Sequence, residues 1–413
     1  MNDVVGALDG IKVLDFSRVF AGPAAAQIFG DLGADVIKIE TPVGGDEARH
    51  LGLTEGTDPR LGVSASFLAL NRNKRSIALD LQTPAGREVA CRLIEKSDVL
   101  LHNFRPGAMT KWRMDYPAMS ARNPRLVYGE FFAYGPSGPL RDFGANDLAL
   151  QAHSGLMSLT GEPDRPPVRV GSAIIDLHGS LAMVSAVLAA LLSRERTGKG
   201  QRVEASLLLS SAHLVNYFYS EYWIDGVVRK AMGTANHLSV PNQVFPTADG
   251  NVVIIAPSDA MWDRCARALD AALLDRPEYK TVRDRQTRRA EVIEAISSVT
   301  RRLPSDEIVA RLGAVKVNVA KLNNIGEAAE HEQLQAAGGV ASFDFGGETV
   351  KAVASPFRME GTPTQVYRAP PHLDEHRDEV LADFGYAGDE IAKLAANGAF
   401  GASMPARKTG TKA

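Results

Sequence analysis

A single carboxylate stands out in the middle of the chain because its surroundings are apolar. The stretch that begins at Val168 is almost wholly small or apolar until Arg194, and it contains one carboxylate, Asp176. Apolar residues follow at helical spacing, at Leu181, Val184, Leu188 and Leu191. A helix that begins just after Asp176 would make it a natural N-cap, because its carboxylate would accept backbone N–H bonds. The same position would hold the carboxylate ionised, as a nucleophile that needs no general base. Spacing leaves both interpretations open.

Other patterns that could carry chemistry are weaker. The sequence RTGKGQ at 196–201 has Ser193 and Gly200 where a phosphate-binding loop needs Gly and Ser or Thr, so it indicates a helix stop and a basic turn. The nine histidines form no metal-binding pattern, although His178 could line the same pocket as Asp176. No G-x-G-x-x-G motif follows the first strand, which disfavours a nicotinamide enzyme. We therefore expect no metal and no nucleotide cofactor.

Alternating strands and helices fill the first part of the chain. The strand patterns are IKVLDFS, ADVIKIE, DVLLHNF and RLVYGEFFA, and the helix patterns include GPAAAQIFGDLG and TPAGREVACRLIEKS. This order predicts βαβ units and an α/β fold with a parallel sheet covered on both faces.

The pattern changes after about residue 222. NQVFPTADGNVVIIAP predicts a hairpin around an Asp-Gly turn, and helical segments follow it. Strand patterns return from about residue 338. We predict a large domain over 1–222, a small α+β domain with its linkers over 223–337, a return to the large domain over 338–400 and a flexible tail over 401–413.

Composition limits the class of protein. The 413 residues are 45% hydrophobic and 23% charged, with a net charge of -3, which indicates a globular chain and no nucleic-acid partner. The start lacks the pattern of a signal peptide. The longest apolar stretch, roughly 181–192, is shorter than the about 20 residues that span a bilayer. Cys91 and Cys265 suggest neither a disulfide nor a metal site. We expect a cytoplasmic protein that does not enter a membrane.

A set of segments, in order along nearly the whole chain, resembles the family III CoA-transferases, which include formyl-CoA:oxalate, carnitine and succinate–hydroxymethylglutarate CoA-transferases. The segments are LDGIKVLDFSRVFAGPAAAQIFGDLGADVIKIE, GGDEAR, NRNKRSIALDL, HNFRPGA, AYGPSGP, SGLMSLTG, IIDLHG, RTGKGQRVEASLL, MGTANHLSVPNQVF and APPHLDEHRDEVL. The resemblance implies a Rossmann-like large domain, a smaller α+β domain and an interlocked homodimer.

The resemblance also implies a reaction. In this family the Asp of a D-L-x-x-G element is the nucleophile, and that Asp is Asp176 here. It would attack the thioester of an acyl-CoA to give a mixed anhydride, and CoA thiolate would then form an aspartyl-CoA thioester. A free carboxylic acid would reverse these steps. Thiolate is a good leaving group because thiol pKa values lie near 8.5. One thioester replaces another, so the reaction requires neither ATP nor a metal.

Further site residues are implied by the same resemblance. Backbone groups near Val19 and Phe20 would stabilise the oxyanion, and Tyr134 would lie close to the acyl site. The segments that bind CoA in the family supply Leu79, Asn103, Phe104, Arg105 and Lys111 here. Lys74 and Arg75 would either add positive charge to this site or form an exposed, solvated pair. Arg18 or Arg169 could bind a second carboxylate, or could form a surface salt bridge.

Departures from the formyl-CoA transferase pattern argue against oxalate as the acceptor. Thr41 and Gln82 stand where those enzymes have basic residues, and Phe132 stands where they have a lysine. Asn318 and Lys321 replace two prolines that many relatives have, which puts the shape of that loop in doubt. SGLMSLTG and the segment around Asp176 are most similar to enzymes that use succinyl-CoA and small dicarboxylic or hydroxy acids.

Two rival functions remain. The related α-methylacyl-CoA racemases need a His–Asp dipeptide as well as the shared Asp, because proton removal and return need two groups on opposite sides of the α-carbon. This chain has Asn146-Asp147 at that place, and an amide cannot take the proton. A non-catalytic CoA-binding homologue is the second rival, which the presence of Asp176 disfavours.

Overall fold

The computed structural model describes residues 6–52 and 61–401, which fall into two compact units. The first unit runs through Leu156, resumes over Val170–Ser220 and continues again from Ala336. The second unit comprises Met157–Arg169 and Glu221–Gln335. The segment 157–169, which the sequence-based division placed in the large domain, groups with the second unit. The N–H of Gly233 donates to the carbonyl of Gly161 at 2.8 Å and ties this segment to it.

Within residues 6–52 and 61–401 the strands form three sheets. Their bounds are β1 Lys12–Asp15, β2 Asp35–Glu40, β3 Lys74–Ala78, β4 Val99–His102, β5 Val127–Phe132, β6 Arg202–Ser206, β7 Asn242–Pro246, β8 Asn251–Ile255, β9 Asn318–Lys321, β10 Val340–Phe345 and β11 Glu348–Val353. In the first unit, β3-β2-β1-β4-β5-β6 form a parallel sheet in this order. The strand order reverses between β1 and β4, and open α/β sheets bind ligands beyond the carboxyl ends of the strands at such a point.

The helices are α1 Ala21–Asp31, α2 Ala65–Leu70, α3 Pro84–Glu95, α4 Ala108–Lys111, α5 Tyr116–Arg122, α6 Asp147–His153, α7 Ile174–Thr197, α8 Leu207–Leu214, α9 Asn216–Asp225, α10 Asp259–Leu274, α11 Val282–Thr287, α12 Arg289–Thr300, α13 Ser305–Ala314, α14 Ile325–Ala329, α15 Glu332–Ala336, α16 Arg377–Asp383 and α17 Gly388–Ala396. Short 3₁₀ helices cover Glu47–His50, Leu156–Leu159 and Pro277–Tyr279.

The parallel sheet is covered on both faces, as the sequence predicts. Neighbouring residues of a strand point to opposite faces, and Val13 and Leu14 accordingly belong to different apolar cores. The core that contains Val13 is filled by side chains of α1 and α7. The core that contains Leu14 is filled by side chains of α3, α5, α16 and α17. The α/β fold with a parallel sheet is therefore confirmed.

The C-terminal segment closes the edge of this sheet beside β3. The side chain of Asn73 donates to the carbonyl of Gln365 at 2.7 Å, and Asp374 accepts the N–H of Ala78 at 2.8 Å. These bonds join positions almost 300 residues apart in sequence. The first unit therefore depends on the return of the chain after the second unit.

The second unit has its own core. The predicted hairpin is β7 and β8, and β9 extends it to an antiparallel sheet of three strands. Asn318 and Lys321 are the end residues of β9. The helices α10, α12 and α13 pack together over an apolar core that contains Trp262.

Helix α7 carries Asp176 and is longer than the apolar stretch in the sequence suggested. Its 24 residues include an 18-residue window of mean hydropathy 1.8, so its length and composition alone would allow it to cross a membrane. In this structure it packs on α1, α8, β5 and β6. One face, with Gly179, Met183 and Val187, is buried against them. This packing is that of a helix covering a sheet.

Candidate active site

A pocket of about 690 Å³ lies where the loops after β1 and β4 meet the first turn of α7. It brings together most of the predicted acyl-site residues. Its wall contains Arg18, Val19, Phe20, Asn103, Phe104, Arg105 and Asp176. A larger pocket, of about 820 Å³, adjoins the β10–β11 hairpin but contains none of the predicted residues. Chemistry, rather than volume, therefore marks the first pocket as the candidate site.

The carboxylate of Asp176 is free of hydrogen bonds within the part of the chain that the structure describes. Helix α7 begins at Ile174, and the N-cap position is Ala173, which has no side-chain cap. The cap is supplied from another helix, because Oδ2 of Asp147 accepts the N–H groups of Ile175 at 2.8 Å and of Asp176 at 3.3 Å. The interpretation of Asp176 as an N-cap is therefore wrong. Its half-buried carboxylate instead faces the pocket.

Two effects make this carboxylate basic. Burial is the larger, and the nearby negative charge of Asp147 is the second; together they raise the pKa of Asp176 from 3.8 to about 7. The expectation that the helix N-terminus keeps Asp176 fully ionised is thereby corrected. Near neutral pH, Asp176 is present in both protonation states.

The loop after β1 has a strained backbone that its neighbours hold in place. Val19 has φ of 69°, a left-handed conformation that β-branched residues rarely adopt. Its N–H donates to Oδ1 of Asp46 at 3.0 Å. The side chain of Asn103 clamps the preceding residue, accepting the N–H of Arg18 at 2.9 Å and donating to its carbonyl at 2.8 Å. The side-chain amide of Asn103, which was predicted to contact CoA, therefore holds the backbone of this loop instead.

These bonds change which amides are available at the pocket. The N–H of Val19 is occupied by Asp46, so it is not an oxyanion donor, and that prediction is wrong. Phe20 is the N-cap of α1 and has no side-chain cap. Its N–H and that of Ala21 have no partner among residues 6–52 and 61–401. Unpaired amides at a helix N-terminus carry partial positive charge, and both residues line the pocket.

A buried ion pair between Lys38 and Asp46 supports the loop after β1. Lys38 lies 2.8 Å from Asp46 and donates to the carbonyl of Ser17 at 2.9 Å. Burial alone would raise the pKa of Asp46, but the adjacent ammonium of Lys38 outweighs it, and the net pKa is lowered. Neither side chain is more than 1% exposed. The pair fixes Asp46 as an ionised acceptor for Val19.

Three of the predicted CoA contacts are inside the protein. The ammonium of Lys74 is fully buried and donates to Asp15, Asn71 and the carbonyl of Pro23, which satisfies its three N–H groups. Burial lowers its pKa to about 8. The ammonium has no remaining donor for a phosphate.

Arg75 and Leu79 are corrected for similar reasons. The guanidinium of Arg75 is buried and bonded to Asp35, Glu379 and Asp383. The side chain of Leu79 lies in the core beneath α3. Neither side chain can reach a ligand in solvent.

The other predicted contacts are accessible. Phe104 is half-buried, with its ring edge-to-face against Trp112 at 5.2 Å and the guanidinium of Arg18 5.2 Å above it. Arg105 and Lys111 are exposed. Their contacts with CoA stay predictions.

Tyr134 and His178 are not among the residues that line the acyl pocket. The ring of Tyr134 packs against His153 at 5.3 Å. His178 is bonded to Ser210 at 2.6 Å, and burial, with the neighbouring His213, lowers the pKa of His178.

Arg18 lines the pocket and forms an exposed ion pair with Glu47 at 3.3 Å. Arg169 belongs to the second unit.

Sequence reasoning missed the supporting roles of Asp46 and Asp147. Asp46 stands in GGDEAR, and Asp147 is the second residue of the Asn146-Asp147 dipeptide, where α6 begins. Neither pattern shows that the carboxylate binds amides of a segment 27 to 29 residues away. Within the described ranges, no cluster of three His, Cys, Asp or Glu side chains could hold a metal ion.

Comparisons with known proteins assign the chain to one family. The family model described as CoA-transferase family III matches residues 8–377. Succinate–glutarate CoA-transferase of Agrobacterium fabrum is 36% identical over 381 residues, covering 91% of this chain and 95% of that protein. The alpha subunit of succinyl-CoA–L-malate CoA-transferase of Chloroflexus aurantiacus is 34% identical, covering 94% and 91%. The crystal structure of a CaiB/BaiF family protein from Brucella suis has a TM-score of 0.83 at 31% identity, covering 92% of this chain and all of that chain.

Proposed function

This chain belongs to CoA-transferase family III and is an enzyme that transfers CoA, and we propose that it moves CoA from succinyl-CoA to a small dicarboxylic or hydroxy acid through covalent intermediates on Asp176. The relatives support the choice of substrates, because their names pair succinate or succinyl-CoA with glutarate, L-malate, D-citramalate or mesaconate. CoA acts as a substrate that is exchanged between acids.

The observation that carries the proposal is the state of the Asp176 carboxylate. It accepts no hydrogen bond from any described residue, it is half-buried, and it faces the pocket beside the unpaired amides that begin α1. A carboxylate with only a structural role would normally be paired at this depth. An uncommitted and partly desolvated carboxylate is instead suited to attack an electrophilic carbonyl.

The first half of the reaction consumes succinyl-CoA. An ionised oxygen of Asp176 bonds to the thioester carbon, and collapse of the tetrahedral intermediate breaks the C–S bond and releases CoA thiolate. The amides of Phe20 and Ala21 would donate to the oxyanion. The thiolate then attacks the Asp176 carbonyl of the mixed anhydride. The bond between that carbonyl carbon and the bridging oxygen breaks, succinate leaves with this oxygen, and an aspartyl-CoA thioester remains.

The second half runs in reverse with the acceptor. Its carboxylate attacks the aspartyl thioester and expels thiolate, which then attacks the acceptor carbonyl of the new anhydride. The new acyl-CoA forms and Asp176 is regenerated with one oxygen that came from the acceptor. The overall reaction exchanges one thioester for another, so the protein supplies position and charge rather than an energy source.

Cations around the pocket suit dicarboxylic substrates. Arg18, Arg105 and Arg141 are in its wall, and Arg141 already pairs with Asp142 at 3.3 Å. Arg18 would bind the second carboxylate of the acid, and Phe104, Arg105 and Lys111 would contact CoA. Replacing Arg18 with alanine should raise the KM for a dicarboxylic acid more than the KM for a monocarboxylic acid of equal length. Equal changes for both acids would contradict this assignment.

The racemase alternative needs a second proton-transfer group, and this chain has Asn146 at the place where the racemases have histidine. The side chain of Asn146 caps α6 by accepting the N–H of Ala149 at 3.1 Å. An amide in this position cannot return a proton to the substrate.

We also propose that the protein is a cytoplasmic homodimer. Large apolar side chains are exposed in and around α9, where Trp223 is 74% and Ile224 is 85% exposed. Patches of this kind are typical of protein interfaces. Light scattering after gel filtration should give twice the chain mass of 44.3 kDa, and a monomer would contradict the proposal.

Oxygen transfer to Asp176 tests the covalent mechanism. The protein is incubated with succinyl-CoA and with glutarate, malate or mesaconate whose carboxylates carry ¹⁸O, and new CoA thioesters are followed by mass. The tryptic peptide 170–194 contains Asp176 as its only side-chain carboxylate, so a single turnover should place one ¹⁸O in that peptide and several turnovers at most two. Asp176→Asn should abolish transfer.

Two outcomes would contradict the proposal. Transfer without ¹⁸O in this peptide would exclude attack by Asp176. Exchange of solvent deuterium at the α-carbon of an acyl-CoA, without any acceptor acid, would identify a racemase. The matched control is Asp389→Asn, which removes an exposed carboxylate from the first turn of α17 and should leave transfer unchanged.

A further inference from the structure

Asp147 has an unusual relation to Asp176, because it binds the backbone of the residue whose side chain it repels. Its Oδ2 accepts the N–H groups of Ile175 and Asp176, at 2.8 and 3.3 Å. Asp147 is only 8% exposed, although it carries a charge and lies in the first turn of α6. Two carboxylates are thus held close together at the N-terminus of α7.

A second contact fixes the orientation of Asp147. Its Oδ1 accepts a hydrogen bond from Nε2 of Gln151, which is fully buried one turn later in α6. The other end of the Gln151 amide accepts the N–H of Val170 at 2.9 Å. Both oxygens of Asp147 are therefore committed, so the carboxylate cannot rotate away from α7.

Other charged groups around Asp176 do not replace this effect. The pocket wall adds Arg18, Arg105, Arg141 and Asp142, and α8 adds His213 beside His178. Helix α6 also carries His153, whose ring packs on Tyr134. On α1, β5 and β6, which pack on α7 as well, the charges are paired, namely Asp31 with Arg72, Glu130 with Arg202 and Arg202 with Glu204. Asp147 is the group whose charge, after burial, raises the pKa of Asp176.

We infer that Asp147 is a positioning residue for the nucleophile: it binds the first-turn amides of α7 itself, leaves the Asp176 carboxylate unbonded toward the pocket, and places a second negative charge behind it. This inference rests on the proposed role of Asp176. Acylation removes the charge of Asp176 and so relieves its repulsion by Asp147. An interaction that is unfavourable before bond formation and relieved during it accelerates the chemical step.

The variant Asp147→Asn tests the charge, because asparagine caps helices as well as aspartate does. Transfer from succinyl-CoA is measured as kcat/KM against pH in the wild type, in Asp147→Asn and in the control Asp389→Asn. Asp147 is the smaller of the two causes that raise the pKa of Asp176 from 3.8 to about 7. We therefore expect the midpoint to fall by about one pH unit in Asp147→Asn, with a lower plateau because the nucleophile is less basic. A midpoint unchanged from the wild type and the control would overturn the inference.

A second variant covers the case in which Asp147→Asn does not fold. An asparagine at 147 has one side-chain oxygen, which cannot accept from the α7 amides and from the side chain of Gln151 at once. In Asp147→Asn/Gln151→Glu, the new carboxylate at 151 can accept from the side-chain amide at 147 and from the N–H of Val170. This double variant moves the negative charge one helical turn along α6, and its midpoint should still lie below the wild-type value. An equal or higher midpoint would contradict the inference.

The two proposals fail in different ways. If Asp176→Asn has no transfer activity and the midpoint of Asp147→Asn is unchanged, only the positioning role is refuted. If Asp176→Asn retains transfer, the proposed mechanism is refuted and the role of Asp147 is refuted with it.

Discussion

Replacing Asp46 with asparagine would remove one charge of a buried ion pair while keeping an oxygen that can accept the N–H of Val19. Lys38 lies 2.8 Å from Asp46, and both side chains are almost fully buried. Loss of one partner of such a pair typically costs about 3–5 kcal/mol, because the other charge is left uncompensated. Lys38 also has Asp15 at 3.9 Å, so we expect a loss of about 3 kcal/mol, at the lower end of that range.

The neighbouring residue supplies a matched control. Glu47 forms an ion pair with Arg18 at 3.3 Å, but both side chains are exposed. Exposed pairs contribute about 0–1 kcal/mol, so Glu47→Gln should hardly change the free energy of unfolding. Urea unfolding of the two variants measures the difference directly. The left-handed Val19 should also relax when Asp46 loses its charge, and we expect kcat to fall about 10-fold or more.

The pH dependence separates charge from packing. The pKa of Asp46 is lowered in the folded protein, so its pairing stabilises the fold above the unfolded value of 3.8 and is lost as pH falls through the folded value. The stability difference between the wild type and Asp46→Asn should therefore shrink on acidification below about pH 4. Equal stability of Asp46→Asn and Glu47→Gln at pH 7 would refute the argument that the buried pair holds this loop.

Three further outcomes follow from the site. Because ionised Asp176 is the reactive form and its pKa is about 7, kcat/KM should rise with pH around 7 and then level off, and a flat profile from pH 5 to 9 would contradict this. Because the pKa of Asp176 is raised in the folded protein, ionising it destabilises the fold as pH rises from about 4 to 7. Above pH 7, Asp176→Asn should therefore be more stable than the wild type in urea unfolding, by at most about 4 kcal/mol. Equal stability would contradict the burial of this charge. A Cβ on Gly22 would lie 2.1 Å from Cβ of Ser17, so Gly22→Ala should displace the start of α1, cost about 1–3 kcal/mol and reduce kcat. Gly313→Ala, where nothing lies within 4 Å, should be neutral or stabilising by thermal unfolding, and equal effects of the two changes would contradict the packing argument.

The sheet and the location of the pocket follow from local patterns in the sequence. Apolar strands that alternate with helices predict a parallel sheet, and residues after β1 and β4 meet because the carboxyl ends of parallel strands share one edge. The apolar stretch singles out Asp176 as a lone carboxylate, and the family resemblance predicts its role as the nucleophile. Its position inside the helix, rather than at the cap, could not be predicted, because the capping group is on α6.

The errors concern charged residues whose partners are distant in sequence. Lys74 and Arg75 are consecutive basic residues near a predicted phosphate site, and alone they suggest a solvated pair. Their partners Asp15 and Asp35 lie 59 and 40 residues earlier and meet them only when the strands pair. The prediction that Val19 is an oxyanion donor was wrong for the same reason, since its N–H donates to Asp46. Periodicity predicts which face of an element is buried, but it does not predict which charges will neutralise one another there.

Because the C-terminal segment covers the sheet edge beside β3, the first unit can complete its folding only late in synthesis. Asn73 and Ala78 form hydrogen bonds with residues 365 and 374, and Arg75 forms them with Glu379 and Asp383. These partners are synthesised about 300 residues later. The ribosome must therefore release almost the entire polypeptide before β3 has its final neighbours. Until then, the β3 edge of the parallel sheet is uncovered, and an uncovered edge strand can pair with other chains.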